Sequence, residues 1–406
     1  MQRRRLSTIV VVALVLLAGL FVVSQYPEIF VSAQNERDRT VTSEVESSSA
    51  APAIFFFDNP YLVADVAEAA NPATVYIQVK WKTQDQASRY YSRDPFSFFF
   101  DYFFWGIEPY QRPSERITQG SGFIIDESGI VLTNQHVVGN AGEGQEITVT
   151  VTSPQISGDF QARILGSDAT LDLAVLQIEG AEGPFPTVPL GDSDKARQGE
   201  FVIAIGNPYG RQFDHTVTIG VLSAKGREIE IIDANGSSKT YKNLMQTDAA
   251  INSGNSGGPL LNIKGEVIGI NAAVHAQAQG IGFAIPINVA KEVLQELIET
   301  GSVQRAWLGI EYLVITDDIQ RYYRLPDKKG VIVAEVHDGT PAAEAGIRAG
   351  DVIRRINDTD ILTKDDLANA ISQHKPGDEV MLTIYRRGQT LMVLVTFGNK
   401  PAEYRD

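Results

Sequence analysis

The 406 residues contain no cysteine. Disulfides, thiol nucleophiles and Cys-based zinc sites are therefore excluded together. Basic residues are also short: 35 Lys and Arg face 50 Asp and Glu, for a formal charge of −15. With no basic surplus to release counterions from a phosphate backbone, nucleic acid is not an expected partner. Histidine occurs five times. His136, His215, His275, His337 and His374 show no metal-ligand spacing, and HExxH is absent, so no metal is expected. No repeat of fixed period suggests a solenoid.

What is present fits a chain of two folded domains with tails. The hydrophobic fraction of 43% is ordinary for globular protein. Arg3, Arg4 and Arg5 precede an uncharged apolar run from Leu6 to Val23. That run is long enough to cross a bilayer, and the charge before it places the rest of the chain outside the cytoplasm. A cleaved signal peptide is the alternative. No small-x-small pattern directly follows Val23, and Val31-Ser32-Ala33 lies well past the apolar core, so a retained anchor over 1–25 is favoured. Residues 26–58, poor in large apolar side chains from Ser32 to Ala53, read as a flexible tether.

Order is expected to resume at Asn59, with a short helix over Tyr61–Ala70 before Asn71-Pro72. Short β-rich runs follow at Thr74–Val79, Gly122–Ile125, Ile130–Leu132, Ile147–Val151, Leu173–Ile178, Phe201–Ile205 and Val267–Asn271. Many short strands with Gly-rich turns suggest barrels rather than a parallel sheet. Val289–Glu299 has helical apolar spacing, and Gly301 stops it. A second unit runs from about Arg305 to Gly398. The segment around Phe96–Trp105 is too aromatic for an ordinary solvated loop. It reads either as a loop packed on the body or in an oligomer, or as a gating or substrate-capturing flap.

The strongest chemical signal is Gly254-Asn255-Ser256-Gly257-Gly258-Pro259. A serine hydroxyl is a poor nucleophile until a base takes its proton, and the oxyanion then formed needs donors in place. Gly254 allows a tight turn that aims its own N–H and that of Ser256 at one point. Gly257 and Gly258 keep bulk away from the attacking oxygen. Upstream, Val131–Val138 ends a strand with His136 where the chain reverses, and Asp172 opens the apolar strand Leu173–Leu176. The chain order His, Asp, Ser is that of the chymotrypsin arrangement, the worked example of such triads.

With Gly120–Ile125, Leu132–Val137, Asp172–Val175, Ala204–Pro208, Gln246–Asn252 and Gly280–Pro286, these blocks resemble the HtrA/Deg family of PDZ-containing serine proteases. The resemblance covers roughly Asn59 to Gly398. It implies His136 as general base, Asp172 as its orienting acid and Ser256 as nucleophile, with Gly254 and Ser256 forming the oxyanion hole. Asp168 lies nearby, but the family's acid is the one leading Leu-Ala-Val. The resemblance further implies a mainly β protein: a chymotrypsin-like double antiparallel β-barrel over 59–300, followed by one α/β PDZ domain over 302–398. It also implies a homotrimer in envelope protein quality control, acting on unfolded or damaged polypeptides without metal or organic cofactor. Phe55, Phe56 and Phe57 supply the trimer contact in one reading and sit at the membrane surface in another.

Ile251 approaches the nucleophile and Val274 lies on the strand expected to line the cleft. A pocket closed by these two suits small aliphatic side chains, at about 0.8 kcal/mol per buried methyl group; core packing is the alternative for both. Arg227, on a loop in this reading, matches a family position that senses loop state and supports the oxyanion hole; an ordinary surface arginine is the alternative. A flip of the Gly254-Asn255 peptide is the expected switch, removing one donor. In the C-terminal unit, Leu308, Gly309 and Ile310 stand where PDZ modules offer backbone N–H groups to a peptide's terminal carboxylate. Thr363 and Asp366 suit a capping box on the helix that closes the groove. The rival readings are a holdase-like binding protein, which has no need of a complete triad, and an esterase, which the chain order disfavours.

Overall fold

The computed structural model describes residues 59–81, 116–141, 144–207, 215–232, 238–252, 254–272 and 280–401. The apolar N-terminal run, the tether, Phe55–Phe57 and the aromatic segment lie outside them. Among the described residues no helix is long and apolar enough to cross a membrane.

A short helix α1 (Leu62–Ala70) leads through a 3₁₀ turn (Asn71–Ala73) into the first strand. Pro72 occupies the first turn of that 3₁₀ segment, where no N–H is needed. Six antiparallel strands then close a barrel: β1 (Thr74–Trp81), β2 (Arg116–Asp126), β3 (Ile130–Thr133), β4 (Gln145–Thr152), β5 (Ser157–Asp168) and β6 (Leu173–Ile178). Around the barrel they run β1-β2-β3-β6-β5-β4. Helix α2 (Gln135–Val138) leaves the end of β3. The second barrel contains β7 (Phe201–Gly206), β8 (Thr216–Ile232), β9 (Ser238–Thr247), β10 (Pro259–Asn262), β11 (Val267–Ala272) and β12 (Gly282–Pro286). Its order is β10-β11-β12-β9-β8-β7.

Each barrel has its own filling. Val75, Ile77, Val79, Ile124, Val149 and Leu176 pack inside the first, and Val202, Ala204, Leu222, Met245 and Leu260 inside the second. A third cluster joins them: Phe123 and Leu132 from the first barrel meet Ile203, Ile205, Leu261 and Ile270 from the second. Each such buried side chain stabilises by roughly 1.5–3 kcal/mol, so the face between the barrels is core rather than a loose seam. Helix α3 (Ile287–Thr300) adds Ile287, Ala290 and Leu297 to this cluster and ends at Gly301.

The C-terminal unit begins with β13 (Ala306–Trp307), which pairs with the terminal strand β20 (Gly398–Asn399). Its sheet runs β14-β15-β16-β18-β19, formed by Ile310–Val314, Val331–Val336, Val352–Ile356, Glu379–Arg386 and Gln389–Thr396, with the short β17 (Thr359–Asp360) on β16. Strand β14 is therefore an edge. Helices α4 (Asp317–Tyr323), α5 (Pro341–Glu344) and α6 (Lys364–Ser372) complete it. The expected capping box is present: Thr363 Oγ1 accepts from the Asp366 N–H at 3.2 Å, and Asp366 Oδ2 accepts from the Thr363 N–H at 2.8 Å. Leu367 is buried, and Ile371 packs against the same core. Asp351, 1% exposed, is held by Arg386 through Nε to Oδ1 and Nη2 to Oδ2, both at 2.6 Å.

Candidate active site

The segments carrying His136, Asp172 and Ser256 converge where the two barrels meet. Asn134 is extended at the end of β3, and the chain turns there into α2, with His136 as its second residue. Asp172 ends the turn before β6 with φ +55°, a conformation that Asp tolerates better than most residues. Two bonds between side chain and backbone fix this turn against the start of α2: Asn134 Nδ2 donates to the Asp172 carbonyl at 3.1 Å, and the His136 N–H donates to Asp172 Oδ1 at 3.0 Å. The carboxylate then grips the ring, with Nδ1 at 2.8 Å from Oδ2 and 3.0 Å from Oδ1. Asp172 is fully buried. A buried carboxylate on Nδ1 selects the tautomer with its proton there, which leaves Nε2 as the basic nitrogen.

Asp168, four residues earlier, is occupied elsewhere. Its Oδ1 accepts the Leu171 N–H at 2.9 Å and Arg305 Nη2 at 2.8 Å, while Arg305 Nη1 holds Oδ2. This pair fastens the entry of the C-terminal unit to the turn that ends in Asp172.

Ser256 is 1% exposed and sits in a trussed turn. The Asn255 N–H donates to the Asn252 carbonyl at 3.1 Å, Asn255 Nδ2 donates to the Ala250 carbonyl at 3.0 Å, and Asn255 Oδ1 accepts the Asn252 N–H at 2.9 Å. The Gly257 N–H donates to the Asn271 carbonyl at 2.8 Å. Gly257 has φ +83°, and a Cβ there would stand 2.2 Å from the Ser121 carbonyl oxygen, so glycine is the residue this position accepts.

The Gly254 carbonyl accepts from Ser121 Oγ at 2.5 Å. Together with the Asn255 N–H bond, this holds the Gly254-Asn255 peptide at both ends. The expected flip of that peptide therefore needs correction. The Gly254 N–H belongs to the preceding peptide, 253–254, and among the described residues no carbonyl accepts it. Residue 253 itself lies outside them.

Arg227 also differs from expectation. It lies in β8, not on a loop, and its exposed side chain donates from Nε to Gln246 Oε1 at 2.9 Å. Register shifts between Leu222 and Ile229, around Gly226, let the β8–β9 hairpin absorb residues that look like a turn in sequence. Ile251 is half-buried against the cores of the second barrel and of the inter-barrel face. A Cβ on Gly282 would meet it at 2.4 Å. Val274, Ala273 and His275 lie outside the described residues.

In the C-terminal unit Leu308 is buried and Gly309 has φ +79°, where a Cβ would strike Thr340 at 2.3 Å. The Leu308 carbonyl accepts the Ala342 N–H and the Gly309 carbonyl accepts the His337 N–H. No acceptor for the N–H groups of Leu308 and Gly309 is found among the described residues. They lead into the open edge of β14 at Ile310, beside α6.

Sequence reasoning passed over several buried polar residues that brace this site. Ser121, Thr133, Asn134, Asn207 and Asn271 are all buried. Asn271 Nδ2 donates to the Pro259 carbonyl at 3.0 Å, and Thr133 Oγ1 donates to the Ser121 carbonyl at 2.7 Å. The available signal was a small polar residue between glycines or beside a triad member, in an otherwise apolar strand.

Two closed barrels followed by a single PDZ unit are the architecture of a PDZ-containing serine endopeptidase. Comparison agrees in both halves: residues 120–270 match the trypsin-like peptidase domain and 306–396 the PDZ domain. A probable periplasmic serine endoprotease, DegP-like, from Hahella chejuensis is 39% identical over 345 residues, spanning 83% of this chain and 70% of the relative. Its counterpart in Chlamydia trachomatis is 42% identical over 355 residues, spanning 83% and 68%. Among solved structures, the HtrA-type protease AlgW with decapeptide superposes with TM-score 0.60 at 33% identity, covering 84% of this chain and 99% of that one. A serine endoprotease from Yersinia pestis gives 0.58 at 30%, covering 88% and 100%. The chain belongs to the HtrA family of DegP-like serine endoproteases.

Proposed function

We propose that this endopeptidase cleaves unfolded or damaged proteins in the cell envelope through an acyl-enzyme formed on Ser256. The observation that carries the mechanism is the buried Asp172 carboxylate on His136 Nδ1, at 2.8 and 3.0 Å. With that nitrogen protonated, His136 Nε2 takes the Ser256 hydroxyl proton as Oγ bonds to the substrate carbonyl carbon. The developing oxyanion is received by the N–H groups of Gly254 and Ser256. Collapse breaks the C–N bond, and the proton on Nε2 passes to the leaving amine. Water, deprotonated by the same nitrogen, then releases the acyl group and restores the serine.

The pocket proposed from the apolar sequence positions Ile251 and Val274 suits small aliphatic side chains, so cleavage follows Val, Ala, Ile or Thr. A peptide C-terminus docks as a strand on β14, its carboxylate against the N–H groups of Leu308, Gly309 and Ile310. The decapeptide-bound AlgW supports a peptide-binding role for this architecture. The DegP-like relatives are described as periplasmic, which supports a catalytic domain outside the cytoplasm; the apolar N-terminal sequence is the proposed anchor and a homotrimer the proposed assembly.

The test is digestion of unfolded casein by purified protein beside a Ser256→Ala control, with cleavage sites mapped by mass spectrometry. Wild type degrades casein, the control does not, and cuts fall after small aliphatic residues. Equal degradation by the control overturns the mechanism; dominant cuts after Lys or Arg overturn the pocket.

A further inference from the structure

We propose that Ser121 is a positioning residue for the oxyanion turn, its hydroxyl orienting the Gly254-Asn255 peptide from the opposite barrel. This rests on the Ser256 acyl-enzyme reading above. Ser121 lies on β2 of the first barrel and is fully buried. Its Oγ accepts the Asn207 N–H at 2.7 Å and donates to the Gly254 carbonyl at 2.5 Å. The direction of both bonds is fixed: a backbone N–H only donates and a carbonyl only accepts. The single hydroxyl proton is thus committed to Gly254.

The backbone of Ser121 works on the same turn. Its N–H donates to the Ser256 carbonyl at 2.8 Å, and its carbonyl accepts from Thr133 Oγ1 at 2.7 Å. Thr133 directly precedes Asn134 and the helix bearing His136. One residue of the first barrel therefore touches the nucleophile's own carbonyl, the carbonyl of the oxyanion glycine and the strand leading to the base. Its surroundings leave little slack. A Cβ on Gly257 would collide with the Ser121 carbonyl, and one on Gly258 would lie 3.2 Å from Ser121 Cβ.

The consequence follows from glycine's freedom at 254. An unpinned Gly254-Asn255 peptide reorients at little cost; it links the peptides that carry the Gly254 and Ser256 N–H groups, so its orientation sets the backbone angles at Gly254 and Asn255 through which both donors are aimed. Ser121 Oγ–H removes that freedom. In Ser121→Ala the carbonyl loses its partner, and the Asn207 N–H is left buried without one, so the turn relaxes away from the donor geometry.

The experiment measures kcat and KM on a short peptide substrate, with kcat expressed per site labelled by a fluorophosphonate probe. Ser121→Ala is expected to lower kcat per labelled site about 10–100-fold, the scale of an ångström-sized misplacement and less than outright loss of a donor. KM stays within about twofold, and a peptidyl aldehyde that forms a tetrahedral adduct weakens by the same factor as kcat. A purely structural role would instead reduce the fraction of labelled sites and the melting temperature while leaving kcat per site unchanged. Ser121→Cys keeps the shape with a weaker donor and is expected to fall between wild type and Ser121→Ala. It carries the test if Ser121→Ala does not fold. Wild-type kcat per labelled Ser256 in whichever variant folds overturns this inference alone. Labelling at a residue other than Ser256 overturns the acyl-enzyme reading, and this inference with it.

Discussion

The two barrels have the same number of strands and the same closure, yet they place different kinds of group at their shared face. The first contributes side chains, an imidazole on α2 held by a carboxylate at the mouth of β6, the carboxylate in turn accepting the His136 backbone N–H. The second contributes a turn, in which Ser256 sits among Gly254, Gly257 and Gly258 and is braced by Asn255 and Asn271. The difference follows from what each must do. Acid–base groups need fixed protonation and orientation, which burial and carboxylate pairing provide. An oxyanion needs preorganised amides, which only a tightly constrained backbone provides. The PDZ unit has its own core and its own ion pair, between Arg386 and the buried Asp351.

The largest effect tests the side-chain half of this contrast. His136→Ala is expected to reduce turnover on the order of a million-fold with the fold intact, as in the dissected serine-protease triads. Residual cleavage within about tenfold of wild type would break the comparison. Next come the two aspartates of one turn. Asp172→Asn is expected to cost about 10⁴ in kcat through the wrong imidazole tautomer, while Asp168→Asn, which loosens Arg305, costs far less. Equal losses in a peptide assay would show that the turn, not the carboxylate on Nδ1, matters.

Two smaller effects examine the independence of the PDZ unit. Asp351→Ala leaves Arg386, still bonded to the Gly346 carbonyl, without its carboxylate partner and is expected to cost this unit about 1–3 kcal/mol, read by thermal unfolding. Thr363→Ala removes the cap of α6 at about 1 kcal/mol. Hydrogen bonds from the Leu362 and Thr363 N–H groups, in that order, then from the Thr363 side chain, hold the Asp366 carboxyl below its usual range. Its contribution is therefore complete above about pH 4 and lost as the pH falls through the lower folded-state value. The gap between Thr363→Ala and wild type should narrow in acid. Loss of casein cleavage at temperatures where only the PDZ unit has melted would show that the two halves are not separable.

Much of this was legible because it is local. Leu173–Ile178 is a strand with the expected bounds, the helix expected over Val289–Glu299 runs from Ile287 to Thr300, and the Thr363 capping box closes as its spacing implies. The segments bearing His136, Asp172 and Ser256 come together at the barrel interface because the strand ends beside them do. What stayed hidden depends on partners far along the chain. The bond from Ser121 to Gly254 spans 133 residues, and Asn207 enters from a third segment. Arg227 was misplaced because a bulged strand and a Gly-containing turn have the same local composition. The bond pattern of the Gly254-Asn255 peptide, not its glycine, decides whether it can flip.

The central claim is that Ser256 is the nucleophile, and intact-mass analysis after fluorophosphonate treatment tests it most directly. The account predicts one adduct per chain, mapped to the peptide containing Ser256, absent in Ser256→Ala and suppressed in His136→Ala. An adduct on another residue, or none in an enzyme that still degrades casein, would contradict it.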